Sequence, residues 1–215
     1  MTNSKIDVAK PFGPSMAKVK IPDPIIKSIN EYIDNIIDNK SKSQELNHGT
    51  DLAGDVTQEI ILEKEIMEKS GWTNFLANCV YKWIEIETKK KVTKFRMRTS
   101  WVVRQFKNEY NPVHWHNGHI SGAGFLKVPK TFGEYSNKKK KLENYRGGNL
   151  NFIHGQKHFL SNSILSVKPQ VGDFYLFPNY LMHTVYPFKG TDDERRSISF
   201  NADIDEEIYN VYENR

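Results

Sequence analysis

Hydrophobic residues recur at helical spacing in two stretches of the first ninety residues. Proline at position 24 opens the first stretch, which predicts a helix, and a second helix is predicted from about Thr73 to Glu87. The apolar stripe of the first helix consists of Ile25, Ile26, Ile29, Ile33, Ile36 and Ile37. Residues 38–57 are polar and predict a loop, and residues 58–62 predict a short strand. Each helix therefore has one face that must pack against another layer.

The spacing changes after Lys91. From Phe95 to Gln105 apolar and polar positions alternate with a period of two, which indicates a strand. Glycine, proline, asparagine and aspartate separate the later runs, which predict strands at residues 120–128, 148–153, 164–167, 174–177, 182–187 and 195–202. Helices followed by a run of strands favour an α+β fold, with a jelly-roll barrel or sandwich and helices packed outside it.

These patterns predict a single domain over residues 1–215. Residues 1–90 form a mainly helical support, residues 91–203 form the β core, and residues 204–215 form a C-terminal tail. The polar stretch from Lys130 to Arg146 is predicted to be an insertion loop.

Composition narrows the class of protein. A hydrophobic content of 38% is typical of a globular chain, and no apolar run approaches a membrane span. The single cysteine, Cys79, lies on a helical stripe and excludes an internal disulfide. With no signal-peptide pattern at the start, we expect a cytoplasmic protein, in the host cytoplasm if the chain is viral. The net charge of +5 raises the question of nucleic acid, but the densest basic block, residues 138–141, is typical of a solvated loop, and we expect no nucleic-acid partner.

The candidate chemistry is a set of three histidines. His114 and His116 stand two positions apart, so in extended chain both imidazoles face the same side and Trp115 faces the other. We expect them to begin a strand. His183, in a later predicted strand, is the candidate third metal ligand.

An anion site is predicted beside this set. Arg195 follows His183 after the polar turn at residues 189–194, so the two strands are expected to be neighbours. Arg195 and Ser197 share one strand face, and a guanidinium beside a hydroxyl suits a carboxylate ligand.

The order of several motifs resembles the 2-oxoglutarate/Fe(II)-dependent oxygenases, in particular the prolyl-hydroxylase-like branch found in bacteria and marine phages. The motifs span roughly residues 95–205: His114-Trp-His116, Ser121-Gly-Ala-Gly-Phe-Leu-Lys-Val-Pro129, Gly147-Gly-Asn-Leu-Asn-Phe152, Gly172-Asp-Phe-Tyr-Leu-Phe-Pro178, His183-Thr-Val and Arg195-Arg-Ser-Ile-Ser-Phe-Asn201. The resemblance implies a double-stranded β-helix and a hydroxylase that uses Fe(II), 2-oxoglutarate and dioxygen, with ascorbate as a candidate reductant.

The resemblance also implies roles for single residues. Iron would be held by His114, His116 and His183, although His116 stands where the family pattern has a carboxylate. A variant keeps two histidines and completes the shell with water or another group. Arg195 and Ser197 would bind the distal carboxylate of 2-oxoglutarate. Where relatives often carry a tyrosine that touches the cosubstrate, this chain has Phe125, and Gln105, Tyr175 or water would replace that contact.

Three functions remain open. The first is hydroxylation of a C–H bond on a peptide, protein or small molecule, with proline favoured by analogy alone. The second is a cupin-like metalloenzyme that does not use 2-oxoglutarate and has no need of the Arg195–Ser197 pair. The third is a non-catalytic basic binding module on the same barrel, which would bind no iron.

Overall fold

Strands dominate the second half of the chain in this computed structural model, which describes residues 5–9, 13–49, 53–134 and 145–210. In chain order its elements are β1 (Ile6–Ala9), β2 (Met16–Lys20), α1 (Asp23–Asp38), α2 (Lys40–Glu45), β3 (Gln58–Ile61), α3 (Lys64–Lys69), α4 (Trp72–Thr88), β4 (Phe95–Gln105), β5 (Asn111–His114), β6 (Ile120–Lys127), β7 (Leu150–Ile153), β8 (Ile164–Val167), β9 (Asp173–Pro178), β10 (Met182–Val185), β11 (Arg195–Ile204) and α5 (Glu206–Tyr209).

The strands form two antiparallel sheets. The large sheet has seven strands in the order β1-β2-β9-β6-β11-β4-β3, and the small sheet has four in the order β5-β10-β7-β8. The sheets pack face to face through a core that includes Phe125, Leu150, Phe152 and Phe177. The helices cover the other face of the large sheet, where the isoleucines of α1 and the aromatics of α4 form a second core.

Strand β11 is central, and all ten of its residues are buried. Its alternate side chains serve different layers, because neighbours along a strand point to opposite faces. Ile198, Phe200 and Ala202 belong to the core under the helices. Arg195, Ser197, Ser199 and Asn201 face the small sheet. The polar side chains of this strand therefore lie in the space between the two sheets.

Glycines in β6 make room for the helix-side core. A Cβ on Gly124 would lie 2.3 Å from Cδ2 of Phe174 and 2.6 Å from the carbonyl oxygen of Asp173. A Cβ on Gly122 would lie 2.6 Å from the rings of Phe174 and Phe200. The Ser121-Gly-Ala-Gly motif therefore lets two aromatic rings lie directly over the strand.

The elements follow most of the sequence predictions, with five corrections. The strands of His183 and Arg195 are not neighbours, because β10 belongs to the small sheet and β11 to the large sheet. Residues 38–57 contain the short helix α2, because the side chain of Asn39 accepts a hydrogen bond from the backbone N–H of Lys42 and caps it. Helix α3 was not predicted. The strict alternation of β4 holds only in its first half, because residues 100–103 are buried on both faces. His114 ends strand β5, and His116 lies beyond it, so these histidines do not begin a strand.

Other predictions lie partly outside the described residues. These are the loop from Lys130 to Arg146, of which residues 135–144 are not described, and the tail, of which residues 211–215 are not described. None of the helices that the structure describes is long and apolar enough to cross a membrane.

Candidate active site

Three histidines converge between the sheets. His114 and His183 are direct cross-strand partners in the β5–β10 pair, so their side chains leave the same face of the small sheet. The backbone N–H of His116 donates to the carbonyl of Asn179 at 3.0 Å, which fixes the chain just after β5. The ring centroids are 5.2 Å apart for His114 and His116, 4.3 Å for His114 and His183, and 4.7 Å for His116 and His183.

One nitrogen from each ring lies within 4.8 Å of the others. Two ligands of one ion are at most about 4.2 Å apart when each metal–nitrogen bond is about 2.1 Å long. Small side-chain rotations are therefore enough to close all three onto one metal. The sequence-predicted set is brought together in space, while Trp115, between two of its members in the chain, is 65% exposed.

Backbone carbonyls orient two of the rings. Nδ1 of His114 lies 2.8 Å from the oxygen of Pro112, and Nδ1 of His183 lies 3.0 Å from the oxygen of Leu181. A carbonyl oxygen only accepts, so each Nδ1 carries the proton and each Nε2 keeps its lone pair. Nδ1 of His116 is buried with no hydrogen-bond partner among the described residues.

Burial keeps the cluster uncharged. Desolvation lowers the pKa of His114, and desolvation with the nearby His114 lowers the pKa of His116 to about 3, against a small opposing contact with Asn201. Desolvation also lowers the pKa of His183 well below its usual value, and both neighbouring imidazoles add to the effect. Neutral imidazole is the form that binds a metal ion. The three rings therefore offer neutral nitrogen donors at ordinary pH.

A cavity of about 260 Å³ extends from the histidines between the two sheets. All three histidines line it, together with Arg195, Ser197 and Phe125. The rest of the wall consists of Ala53, Glu59, Trp101, Val103, Asn111, Trp115, Asn117, Ala123, Leu150, Val185, Ser199 and Asn201. The candidate metal-binding histidines and a cation therefore line one cavity.

The cation is unusual because it is buried without an acid. Arg195 is 1% exposed, and its Nε donates to the carbonyl of Gly148 at 3.1 Å. Its Nη1 donates to the hydroxyl of Ser197 at 3.1 Å, and its guanidinium carbon lies 5.1 Å from the centre of the Phe125 ring. Desolvation alone lowers its pKa to about 9, and no carboxylate of the described residues contacts it. An anionic ligand would supply the missing counter-charge.

The next residue shows the contrast. Arg196 is also 1% exposed, but on the opposite face of β11. Its Nε and Nη2 donate to both oxygens of Glu194 at 2.9 and 3.0 Å, and Nη2 also contacts Asp34 at 2.7 Å. Arg104 donates to the same Glu194 at 2.8 Å. Arg104 and Arg196 both have acidic partners, so Arg195 is the one of the three that is available to an anionic ligand.

The remaining predicted residues differ in position. Ser197 and Phe125 are partners across β11 and β6 and both line the cavity. Gln105 is opposite Arg195 on β4, but its Nε2 donates to the carbonyl of Glu109 at 2.6 Å, and it is not part of the cavity wall. Tyr175 is also outside the wall, with Lys18 near its ring. Neither side chain takes the place of the family's tyrosine in the cavity.

Sequence reasoning missed several residues of the wall. Ser199 and Asn201 continue the period of two that begins with Arg195 and Ser197, so that signal was available. Glu59 had no such signal, because it lies far from the motifs and reaches the cavity only through the pairing of β3 with β4. His119 lies close in sequence to the cluster, but its ring stacks on the ring of Tyr209, with the two ring centroids 3.9 Å apart.

The cavity and its histidines lie largely within a segment that matches a known family. A family model described as "Putative 2OG-Fe(II) oxygenase" matches residues 99–201. No curated protein sequence matches the chain. Among solved structures, the chain is similar to a Pseudomonas putida prolyl-4-hydroxylase, with a TM-score of 0.55 and 13% identity over 86% of this chain and 91% of that one.

Two further structures are similar. One is a viral collagen prolyl hydroxylase from Paramecium Bursaria Chlorella virus-1 in complex with 2OG, with a TM-score of 0.51 and 14% identity over 87% of this chain and 94% of that one. The other is HygX from Streptomyces hygroscopicus with nickel, 2-oxoglutarate and hygromycin B bound, with a TM-score of 0.55 and 11% identity over 86% and 81%. At such identities the likeness shows the fold, and the predicted jelly-roll core is confirmed.

Proposed function

Residues 99–201 belong to the family of 2-oxoglutarate/Fe(II) oxygenases, and on that premise we propose that the protein hydroxylates a C–H bond of a peptide or protein substrate, at proline. Fe(II) would be held by His114, His116 and His183. The observation that carries the proposal is the pairing, in one cavity, of three neutral imidazoles with a buried arginine that has no acidic partner among the described residues.

The donor set fits a divalent iron. Imidazole nitrogen is a suitable ligand for iron, and the backbone contacts of His114 and His183 leave Nε2 available on both rings. The family pattern is two histidines and one carboxylate, so three imidazoles leave the centre one unit more positive. When bound, Fe(II) and 2-oxoglutarate would activate dioxygen, so that one oxygen atom enters the C–H bond, the other enters succinate, and 2-oxoglutarate loses CO2.

The cavity residues would orient the cosubstrate. Arg195 would bind its distal carboxylate, and the Ser197 hydroxyl, whose oxygen already accepts from Arg195, has its proton free to donate to the same carboxylate. Phe125 and Leu150 give that end of the cavity apolar walls and exclude water from the ion pair. Fixed groups at both ends would align the cosubstrate between Arg195 and the histidines.

The choice of substrate rests on analogy. Two of the similar structures are described as prolyl hydroxylases, while HygX was solved with hygromycin B. The fold alone does not select among them. Trp115 lines the cavity and is 65% exposed, so its ring offers an aromatic surface that suits a proline-containing peptide.

One observation favours a second candidate, a metalloenzyme that does not use 2-oxoglutarate. The described cluster contains no carboxylate, and a purely histidine centre is compatible with cupin-like chemistry. Such an enzyme gives no reason for a buried Arg195 without an acidic partner among the described residues, so we place it second.

The deciding experiment is an anaerobic titration of the Fe(II)-loaded protein with 2-oxoglutarate, monitored through the weak visible charge-transfer band of the chelate. A saturable band, lost in Arg195→Met, is expected, and iron binding without a band would favour the second candidate. Incubation with proline-containing peptides and detection of a mass increase of one oxygen atom would then test the substrate. Modification of non-proline peptides alone would refute the proline assignment.

A further inference from the structure

Glu59 is a buried carboxylic acid with one unpaired oxygen in the cavity wall. It is 2% exposed, and its Oε2 has no hydrogen-bond partner among the described residues. Its Oε1 accepts only a long hydrogen bond, 3.4 Å, from Nδ2 of Asn111. Burial of a polar group without partners costs free energy, so such a group calls for an explanation.

The backbone around Glu59 holds this arrangement firmly. Its N–H donates to Oδ1 of Asn47 at 3.2 Å, and its carbonyl accepts from the N–H of His48 at 2.9 Å. A Cβ on Gly54 would lie 2.8 Å from Oε1 of Glu59 and 2.6 Å from Nδ2 of Asn111, so glycine at that position leaves room for the pair. Asn111 begins β5, the strand that ends at His114. The carboxyl is therefore positioned from the same strand that carries a metal-ligand candidate.

The net charge of the proposed metal centre with its cosubstrate indicates a role for Glu59. The family's centre has a carboxylate ligand, which together with Fe(II), a 2-oxoglutarate dianion and one arginine sums to zero. Here His116 replaces that carboxylate, and the same sum is one unit positive. Among the residues that line the cavity, Glu59 is the one that can supply a negative charge. It is not part of the histidine cluster, so it would act across the cavity.

We propose that Glu59 supplies, from the cavity wall, the negative charge that His116 leaves out of the metal centre. Its carboxyl is neutral or partly neutral in the metal-free protein and ionised when the metal is bound. Glu59 and the histidines line one cavity of about 260 Å³, and charges that face each other across a poorly hydrated interior interact strongly. The inference rests on the proposed metal site.

The electrostatic setting agrees with this role. Desolvation raises the pKa of Glu59 to about 7, against a small opposing effect of the Asn111 hydrogen bond. The titratable and charged groups around it are His48 from the segment beside β3, Asp55 and Tyr110 from the neighbouring bridge, Arg104 from β4, and His114, His116, His183 and Arg195 across the cavity. Arg104 is bonded to Gln58 and Glu194 rather than to Glu59.

Calorimetric titration of the apo protein with Ni(II), a redox-stable stand-in for iron, tests the proposal. We expect the Ni(II) affinity of the wild type to rise from pH 6 to pH 8. The ratio of the two affinities should be roughly fivefold larger for the wild type than for Glu59→Gln, because one pKa unit of coupling is worth a tenfold change in affinity. Glu31→Gln, which removes an exposed carboxylate on α1, is the matched control and should behave as the wild type does.

Two further measurements make the test independent of one variant. Titrations of the wild type at pH 6.5 in buffers of different ionisation enthalpy should show release of more than half a proton per metal, since the imidazoles are already neutral. His116→Asp restores a carboxylate to the centre. In that background, adding Glu59→Gln should no longer change how the Ni(II) affinity depends on pH.

The outcomes separate two failures. Metal binding with no proton release, or an identical pH dependence in the wild type and E59Q, overturns the inference and leaves the proposed function intact. Absence of metal binding by the wild type overturns both.

Discussion

Replacement of Arg195 by methionine should stabilise the metal-free protein. Desolvation lowers the pKa of Arg195 from its ordinary value to about 9, so the native state holds this proton less tightly than the unfolded chain does. A difference of 3.5 units corresponds to about 5 kcal/mol of unfavourable free energy, at 1.36 kcal/mol per unit. The cost is present in full below pH 9 and falls as the pH rises above the lowered pKa of Arg195.

Favourable contacts offset part of this cost. The hydrogen bonds to Gly148 and Ser197 are worth about 3 kcal/mol together, and methionine keeps most of the packing against Phe125. We therefore expect Arg195→Met to be more stable by about 2 kcal/mol in urea denaturation at pH 7.5 with a chelator present. Bound cosubstrate should reverse the order, because a ligand at 100 times its Kd stabilises the wild type alone by about 2.7 kcal/mol.

The neighbouring arginine provides the matched control. Arg196 is equally buried but bonded to Glu194 and Asp34, so Arg196→Met removes two hydrogen bonds from the buried Glu194 carboxylate, which keeps only Arg104 and Lys127, and should cost about 3 kcal/mol. The two substitutions, at adjacent residues, are predicted to change the free energy of unfolding in opposite directions. If Arg195→Met destabilised the apo protein as Arg196→Met does, Arg195 would be a structural cation and the anion-site argument would fail.

Three other predictions concern the metal, the glycine motif and pH. His183→Ala should abolish stoichiometric iron binding, measured by metal analysis after desalting. His158→Ala, in a turn outside the cluster, should retain iron. Retention of iron by both variants would remove His183 from the ligand set. Gly124→Ala should lower the free energy of unfolding by about 1–3 kcal/mol, because its Cβ meets backbone and ring atoms, and Gly49→Ala, with only ordinary contacts, should be close to neutral in the same denaturation assay. Because the folded pKa of Glu59 is raised, its stabilising contribution is present below pH 4.5 and is lost as the pH rises to 7. The free energy of unfolding of the apo wild type should therefore fall by about 3 kcal/mol relative to that of E59Q across this window. Parallel curves of unfolding free energy against pH would refute the raised pKa.

The sequence predicted the histidine cluster more reliably than its secondary structure. Spacing of two between His114 and His116 indicated a shared face, and the structure brings the rings together although only His114 is in a strand. A metal-ligand pattern depends on side-chain direction, which an irregular extended segment preserves. The strand boundary depends instead on pairing with β10, which shifts register between His183 and Val185 and is not visible in the sequence.

The sequence pattern could not predict which buried arginine has an acidic partner in the fold. Arg195 and Arg196 are adjacent and chemically identical, and their difference arises because Arg196 faces α1, where Asp34 lies 162 residues earlier in the chain. The helix α2 escaped prediction for a related reason. Six residues without an apolar stripe are too few to form a helix alone, so its existence depends on the Asn39 cap and on burial of Ser43.

The two halves of the candidate site belong to different sheets, and this arrangement explains why an aromatic core lies between them. His114 and His183 are carried by the small sheet, while Arg195 and Ser197 are carried by β11 of the large sheet. A ligand that bridges metal and arginine has a fixed length, so the sheets must keep a fixed separation. Phe152 and Phe177, with ring centroids 5.0 Å apart and both within 6.1 Å of the His183 ring, set that separation. Close packing makes such a spacing stiff, because side chains in a dense core cannot yield without opening a void. Alignment of a cosubstrate is therefore a property of the inter-sheet core as much as of the residues that would touch it.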